Sequence, residues 1–226
     1  AQACAGAGPR EAGAMADTDA GGSLVEDPGL AEAQKLVRDG MEAFRQARVD
    51  ESLQCFDKAL GLGYPAPRLW QRGLSLYYAE RLEEGAAQFR GDLAANAHDA
   101  EEAIWAFLCE ARLRSLEEAR RGMLATGADP RPTLRAADEL FREGSASAAA
   151  ALEQLVQGDG PAEQAAHDAF YAALYLGLYA EASGDEGAAQ QWILRSTETA
   201  YGRSSRDYMA ALARTHARLR GWPKPA

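Results

Sequence analysis

Histidine and cysteine are scarce, three of each in 226 residues, and their placement disfavours whole classes of chemistry. His98, His167 and His216 lie far apart, and none has a second His or Cys at ligand spacing on its own helical stretch, so no zinc site is expected. Cys55 and Cys109 fall in helical stretches where small buried residues belong and read as reduced core thiols, while Cys4 lies near the start of the chain. No glycine-rich phosphate loop is present and no serine sits in a nucleophile elbow. The adjacent acids Glu83-Glu84, Glu101-Glu102 and Glu117-Glu118 fall at hairpin turns and helix starts, where they complement the helix dipole and aid solubility. No residue set stands behind an enzyme, and no cofactor or metal is expected.

Long apolar runs are also missing. No window approaches the roughly 18 consecutive apolar residues of a membrane span, so no integral membrane segment is expected. Positive charge is in short supply as well: 24 Lys and Arg face 34 Asp and Glu, a net charge of -10. It is unevenly placed. Arg203, Arg206, Arg214, Arg218, Arg220 and Lys224 against Asp207 give residues 201–226 a charge of +5, which leaves -15 for the rest. A predominantly acidic body argues against nucleic-acid binding, which needs clustered cations to neutralise phosphates. The basic end can touch an acidic partner or anionic lipid, and a solvated capping face is the plainer reading.

What the sequence has is a repeat. Gly40 and Gly73 are 33 residues apart, Phe56 and Phe89 are 33 apart, and Met123 follows 34 after Phe89. Each interval is the length of one helix hairpin, with a small residue where two antiparallel helices approach and an aromatic where hairpins meet. Ala119 and Met123 continue the pattern in a third unit, although Phe107 takes its glycine position, and Asp129-Pro130 closes that unit. Thr133 to Gln157 reads as a degenerate fourth hairpin around Gly144. Gly177, the Gly184-Asp185 turn, Ala189 and Ile193 mark a last one. A basic amphipathic helix from about Ser205 to Leu219 follows as a solubilising cap.

The helical pattern runs from residue 29 to 222 without a linker, so one elongated domain is expected. Residues 1–28 are rich in Ala and Gly, show no period and read as a disordered tail; residues 223–226 read as a disordered end. The chain opens with Ala1 rather than Met, which fits a processed product or a fragment, and Met15 is a second candidate start.

The spaced residues resemble the tetratricopeptide repeat family. Gly40, Ser52 and Ala59 take that family's small positions in unit one and Phe56 its large one; Gly73, Gly85 and Phe89 take most of them in unit two, where Asp92 stands in place of a small residue. The resemblance implies an all-α solenoid of helix hairpins whose first helices line a concave face. Transferred residue by residue, that face holds Val37, Met41, Phe44, Trp70, Leu74, Tyr77, Tyr78, Ile104 and Leu108, with Arg112 at its end, and Tyr171, Leu174, Tyr175, Leu178 and Tyr179 add a stripe in the last unit. An apolar, aromatic face of this kind suits an amphipathic helix or extended segment of another protein. The alternative is that the last unit or the C-terminal helix packs across the groove, which makes Trp70 and the tyrosines core.

The family's clamp for chaperone carboxylates is not expected, because Val37, Met41, Gln71, Glu101 and Trp105 occupy its Lys, Asn and Arg positions. Longer strings, Leu69 to Tyr78, Glu102 to Ala111, Asp129 to Pro132 and Tyr201-Gly202-Arg203 with Asp207-Tyr208-Met209, resemble plastid-targeted tetratricopeptide proteins of plants and green algae, and more distantly bacterial periplasmic repeat lipoproteins. The bias of 21 Arg to 3 Lys fits a GC-rich coding sequence. Together these imply a non-catalytic scaffold or assembly adaptor in the chloroplast, or else a structural or regulatory subunit with a self-filled groove; the bacterial periplasm is the alternative location.

Overall fold

Twelve α-helices follow one another, with no strand among the described residues, which are 28–158 and 161–222 of the computed structural model. The helices are α1 (Pro28–Arg45), α2 (Val49–Gly61), α3 (Trp70–Tyr78), α4 (Leu82–Ala95), α5 (Ala100–Leu113), α6 (Leu116–Arg121), α7 (Pro132–Glu143), α8 (Ala146–Gln157), α9 (Ala162–Ala182), α10 (Glu186–Glu198), α11 (Ala200–Ser204) and α12 (Tyr208–Leu219). Most neighbours in sequence pack on each other: α1 on α2, α3 on α4, α5 on α6, α7 on α8 and α9 on α10. The expected tail lies outside the described residues except for Pro28, which opens α1, and residues 223–226 lie outside them too.

Three of the hairpins are built alike. An added Cβ at Gly40 would sit 2.8 Å from the Phe56 ring, at Gly73 2.6 Å from the Phe89 ring, and at Gly177 2.7 Å from Ile193. Each large residue lies sixteen positions after its glycine. Only a residue without a side chain lets the second helix bring its plug this close. The turns repeat as well. Ala47, Glu80 and Gly184, each seven residues past the glycine, have φ of 59°, 61° and 82°. In each turn the next N–H returns to a carbonyl of the preceding helix: Arg48 to Ala43, Arg81 to Leu76 and Asp185 to Ala180. This pairing satisfies carbonyls that a helix end would otherwise leave open.

The third hairpin departs from that plan for a steric reason. Phe107 fills the position of the glycine, and its ring turns to meet Phe141 of α7 edge-on at 5.3 Å. Its partner helix α6 is only six residues long, and Met123 lies beyond it, half-buried in coil. The loop that follows is pinned by Asp129, which accepts hydrogen bonds from the Arg131 backbone at 2.9 Å and from Ala100 N at 3.3 Å. Gly144, with φ of 67°, ends α7 as the sequence requires. Side-chain caps start α5 (Asp99), α6 (Ser115), α8 (Ser145), α10 (Asp185), α11 (Thr199) and α12 (Asp207).

The C-terminal helix differs from the expected solvated cap. Every residue from Tyr208 to Ala217 is buried except Arg214, because α12 lies against both α10 and α1. The last long helix therefore touches the first one.

Candidate functional site

The residues expected to line an inner face are, Val37 apart, packed into the core or against it. Phe44, Leu74, Tyr77, Ile104 and Leu108 are buried in one continuous core, with Met41, Trp70 and Tyr78 half-buried against it. Val37 is buried apart from them, in a second cluster with Ala33, Phe56, Ala59 and Leu69, where it packs the first hairpin instead of facing inward. The cover is α12. Tyr208 stacks on Phe44 with centroids 5.4 Å apart and meets Trp70 edge-on at 5.5 Å. Thr215 Oγ1 donates to the Phe44 carbonyl at 3.3 Å, and Arg218 donates to the Gln46 carbonyl at 3.1 Å. An amphipathic helix thus occupies the place proposed for a partner's helix, and it belongs to the same chain.

Deeper in the seam, the Tyr78 hydroxyl and His216 Nδ1 are 2.8 Å apart, while His216 Nε2 lies 3.6 Å from Glu181 Oε2. Full burial, with Arg220 nearby, pushes the His216 imidazole down to about 3, so it is neutral at physiological pH. Glu181 is held instead by Arg220, whose guanidinium also lies 5.9 Å from the Tyr78 ring centre. His216 Nε2, Glu181 Oε2 and the Tyr208 hydroxyl are buried without a hydrogen-bond partner among the described residues. Such groups are costly to bury unpaired.

The tyrosine stripe of α9 serves polar crosslinks within the core. Tyr175 donates to Glu101 Oε1 at 2.6 Å, and Tyr171 and Tyr201 both donate to Asp207 Oδ2 at 2.7 Å. Tyr179 accepts from Arg120 at 3.0 Å. Arg131 reaches Glu101 at 2.7 Å, Asp129 at 2.7 Å and Asp99 at 3.3 Å. Glu101 and Glu102 depart from the solvated helix start that their sequence position suggests: both are largely buried, because α9 and the Asp129–Arg131 loop cover the start of α5. Burial raises the Glu101 carboxyl, with Arg131 acting in the opposite direction. The other two acid pairs, Glu83-Glu84 and Glu117-Glu118, are exposed. Nothing local in the sequence distinguishes the three pairs; the difference lies in what packs over them.

Cys109 is buried and its thiol is pushed up to about 12 by desolvation; Cys55 is half-buried. No set of three His, Cys, Asp or Glu side chains is arranged to hold a metal among the described residues. No described helix is long and apolar enough to cross a membrane. A shallow hollow of about 480 Å³, lined by Arg48, Asp50, Glu51, Tyr78 and Leu219 among others, sits beside the end of α12 and opens to solvent. No protein-family model matches the chain, and no curated protein matches it significantly.

Proposed function

We propose that the chain is a tetratricopeptide-like solenoid of helix hairpins with a self-filled inner face, serving as a non-catalytic structural or regulatory subunit that meets other proteins through its outer surfaces. The observation that carries this reading is α12 seated on Phe44, Trp70 and Tyr78. The equal offsets of Gly40/Phe56, Gly73/Phe89 and Gly177/Ile193, with the matching turns, support the repeat. A plastid setting belongs to the same reading and rests on the strings quoted above, with a bacterial periplasm as the alternative.

Site-specific photo-crosslinking in the native host tests it. A photoreactive residue at exposed outer positions, Gln54 on α2 or Arg90 on α4, should capture a partner, and one at Trp70 should yield only intramolecular products. Capture of a partner at Trp70 and not at the outer positions overturns the reading.

A second reading is favoured by one observation, the three unpartnered polar atoms in the α12 seam. On this reading α12 is a displaceable occupant, and a partner helix with better-matched polar groups takes its place.

A further inference from the structure

Although α12 is packed against α1 and α10, its Arg214 and Arg218 stay exposed. Arg214 donates to the carbonyl of Gly202, which precedes Arg203 in the chain, and Arg218 donates to the carbonyl of Gln46, which follows Arg45. Arg45 itself leans over the Tyr208 ring, 5.3 Å from its centre. Arg206 is exposed two residues before Tyr208. Arg45 and Arg214 thus act on each other across the contact of α1 and α12, Arg218 reaches the end of α1, and Arg203 and Arg206 are exposed on α11 and on the connection into α12.

Their counter-charges are missing. Arg203, Arg206, Arg214 and Arg218 have no carboxylate within salt-bridge distance among the described residues, and Arg45 has Glu42 alone, at 3.7 Å. Asp207, the nearest acid in sequence, is turned inward onto Tyr171 and Tyr201. Elsewhere on this acid-rich surface some arginines are paired, Arg72 with Asp57, Arg81 with Glu84 and Arg142 with Asp138, and some, such as Arg38 and Arg195, are exposed without a carboxylate within salt-bridge distance among the described residues. Here Arg45 and the burial of Arg214 both work against the charge on Arg214. Cations held together without anions lower stability, and such an arrangement is relieved by an anionic ligand.

We propose that the seam formed by Arg45, Arg203, Arg206, Arg214 and Arg218 is a docking site for a short acidic segment of a partner protein. Guanidinium groups pair carboxylates through two parallel hydrogen bonds, and five of them suit several Asp or Glu side chains in succession. A short peptide also fits the charge of the molecule as a whole. An extended polyanion, such as a duplex or an anionic bilayer, would lie against the remaining surface, whose charge is strongly negative, whereas a peptide the size of the patch ends within about a Debye length of it, roughly 8 Å. The proposal deepens the outer-surface reading above and rests on α12 being docked, because the site exists only while α1 and α12 are in contact. A ligand of this site therefore also stabilises the closed arrangement.

The test is fluorescence anisotropy of labelled octaglutamate with the full chain at low salt, together with thermal melting. Binding is expected, weakening as salt is raised, and with a rise in melting temperature. Arg214→Ala combined with Arg218→Ala should weaken it by about tenfold or more. Because that pair also holds two backbone carbonyls, Arg203→Glu, which breaks no side-chain hydrogen bond among the described residues, provides the same readout without that risk. Arg121→Glu on α6 makes an equal change of charge elsewhere and should leave binding unchanged. Absence of binding at low salt overturns the proposal, as does equal weakening by Arg121→Glu. Tighter binding of phosphatidylserine vesicles or duplex DNA through the same arginines, without competition from octaglutamate, also overturns it in favour of a membrane or nucleic-acid site. Binding of octaglutamate with partner crosslinks only at Trp70 would sink the outer-surface reading while leaving the anion site standing.

Discussion

Asp92 offers a direct measure of how tightly the second hairpin is sealed. It stands where the repeat pattern calls for a small residue, and its carboxylate is buried, 1% exposed. One oxygen accepts from Gln88 Nε2 at 2.9 Å; the other has no partner among the described residues. Desolvation, with a smaller contribution from Asp99, pushes this carboxyl up from 3.8 to about 7, against the Gln88 bond. Between those two values the folded chain holds a proton that the unfolded chain has released. Stability contributed by the protonated form is therefore complete below about pH 4 and is lost as pH rises toward 7 and beyond. About three pH units at about 1.4 kcal/mol each set an upper limit near 4 kcal/mol, so we expect a penalty of about 2–4 kcal/mol at alkaline pH. Asp92→Asn abolishes it. Urea unfolding followed by circular dichroism at pH 4 and pH 8 should show the variant's advantage over wild type growing by about 2–4 kcal/mol between the two. Taking the difference of differences cancels whatever the amide does independently of pH. An advantage that is the same at both pH values refutes the reasoning, and water then reaches the Asp92 carboxylate.

Other substitutions test other joints. Gly73→Ala places a methyl group 2.6 Å from the Phe89 ring and should cost about 1–3 kcal/mol in urea unfolding, partly restored by Phe89→Leu in the same chain. Phe89→Ala alone should cost about 3–5 kcal/mol; an unchanged midpoint would mean that Phe89 is not the plug. Ala47→Gly relieves a positive φ and should raise stability by up to about 1 kcal/mol by the same assay. His216, pushed down to about 3 from 6.5, gives the opposite slope to Asp92: stability present above pH 6.5 is lost as pH falls toward 3, and His216→Phe should flatten that loss in melts at pH 7 and pH 4. In a chain retaining Trp70 as its single tryptophan, iodide should quench the indole weakly, and removal of residues 205–226 should make quenching strong.

The parts that the sequence made legible are those decided by neighbours in the chain. Gly40 and Phe56, Gly73 and Phe89, and Gly177 and Ile193 are each brought together by a single hairpin, so their spacing alone carries the contact. The Gly144 turn and the helices on either side of it are local in the same sense. The inner-face residues were recognisable as apolar and aromatic, and eight of the nine do share one core. What covers them was not recognisable. Tyr208 and Phe44 are separated by more than 160 residues, and no periodicity reports a contact at that range. An amphipathic helix with a basic face reads the same whether its apolar side lies only on the neighbouring hairpin or also on the first helix. The Glu101 network fails to show for the same reason: Tyr175 and Arg131 reach it from elements far along the chain.

Closure by α12 also sets the terms on which any partner helix competes. Tyr208, Met209 and Leu212 are buried in the seam, and exposing side chains of this size costs about 1.5–3 kcal/mol each, or roughly 5–9 kcal/mol in all. A displacing helix recovers that area for itself but leaves α12 in water, and it faces a rival tethered at an effective concentration in the millimolar range. The unpartnered Tyr208 hydroxyl, His216 Nε2 and Glu181 Oε2 lower the barrier, since each costs about 1–3 kcal/mol while it stays buried and regains water when the seam opens. The two contributions have similar size, so occupation of the inner face turns on side chains of α12 that point into the seam, and the arginines on its outer side turn on the seam staying closed. An acidic ligand on those arginines and an apolar helix on the inner face therefore oppose each other, and addition of one must weaken binding of the other by the same factor.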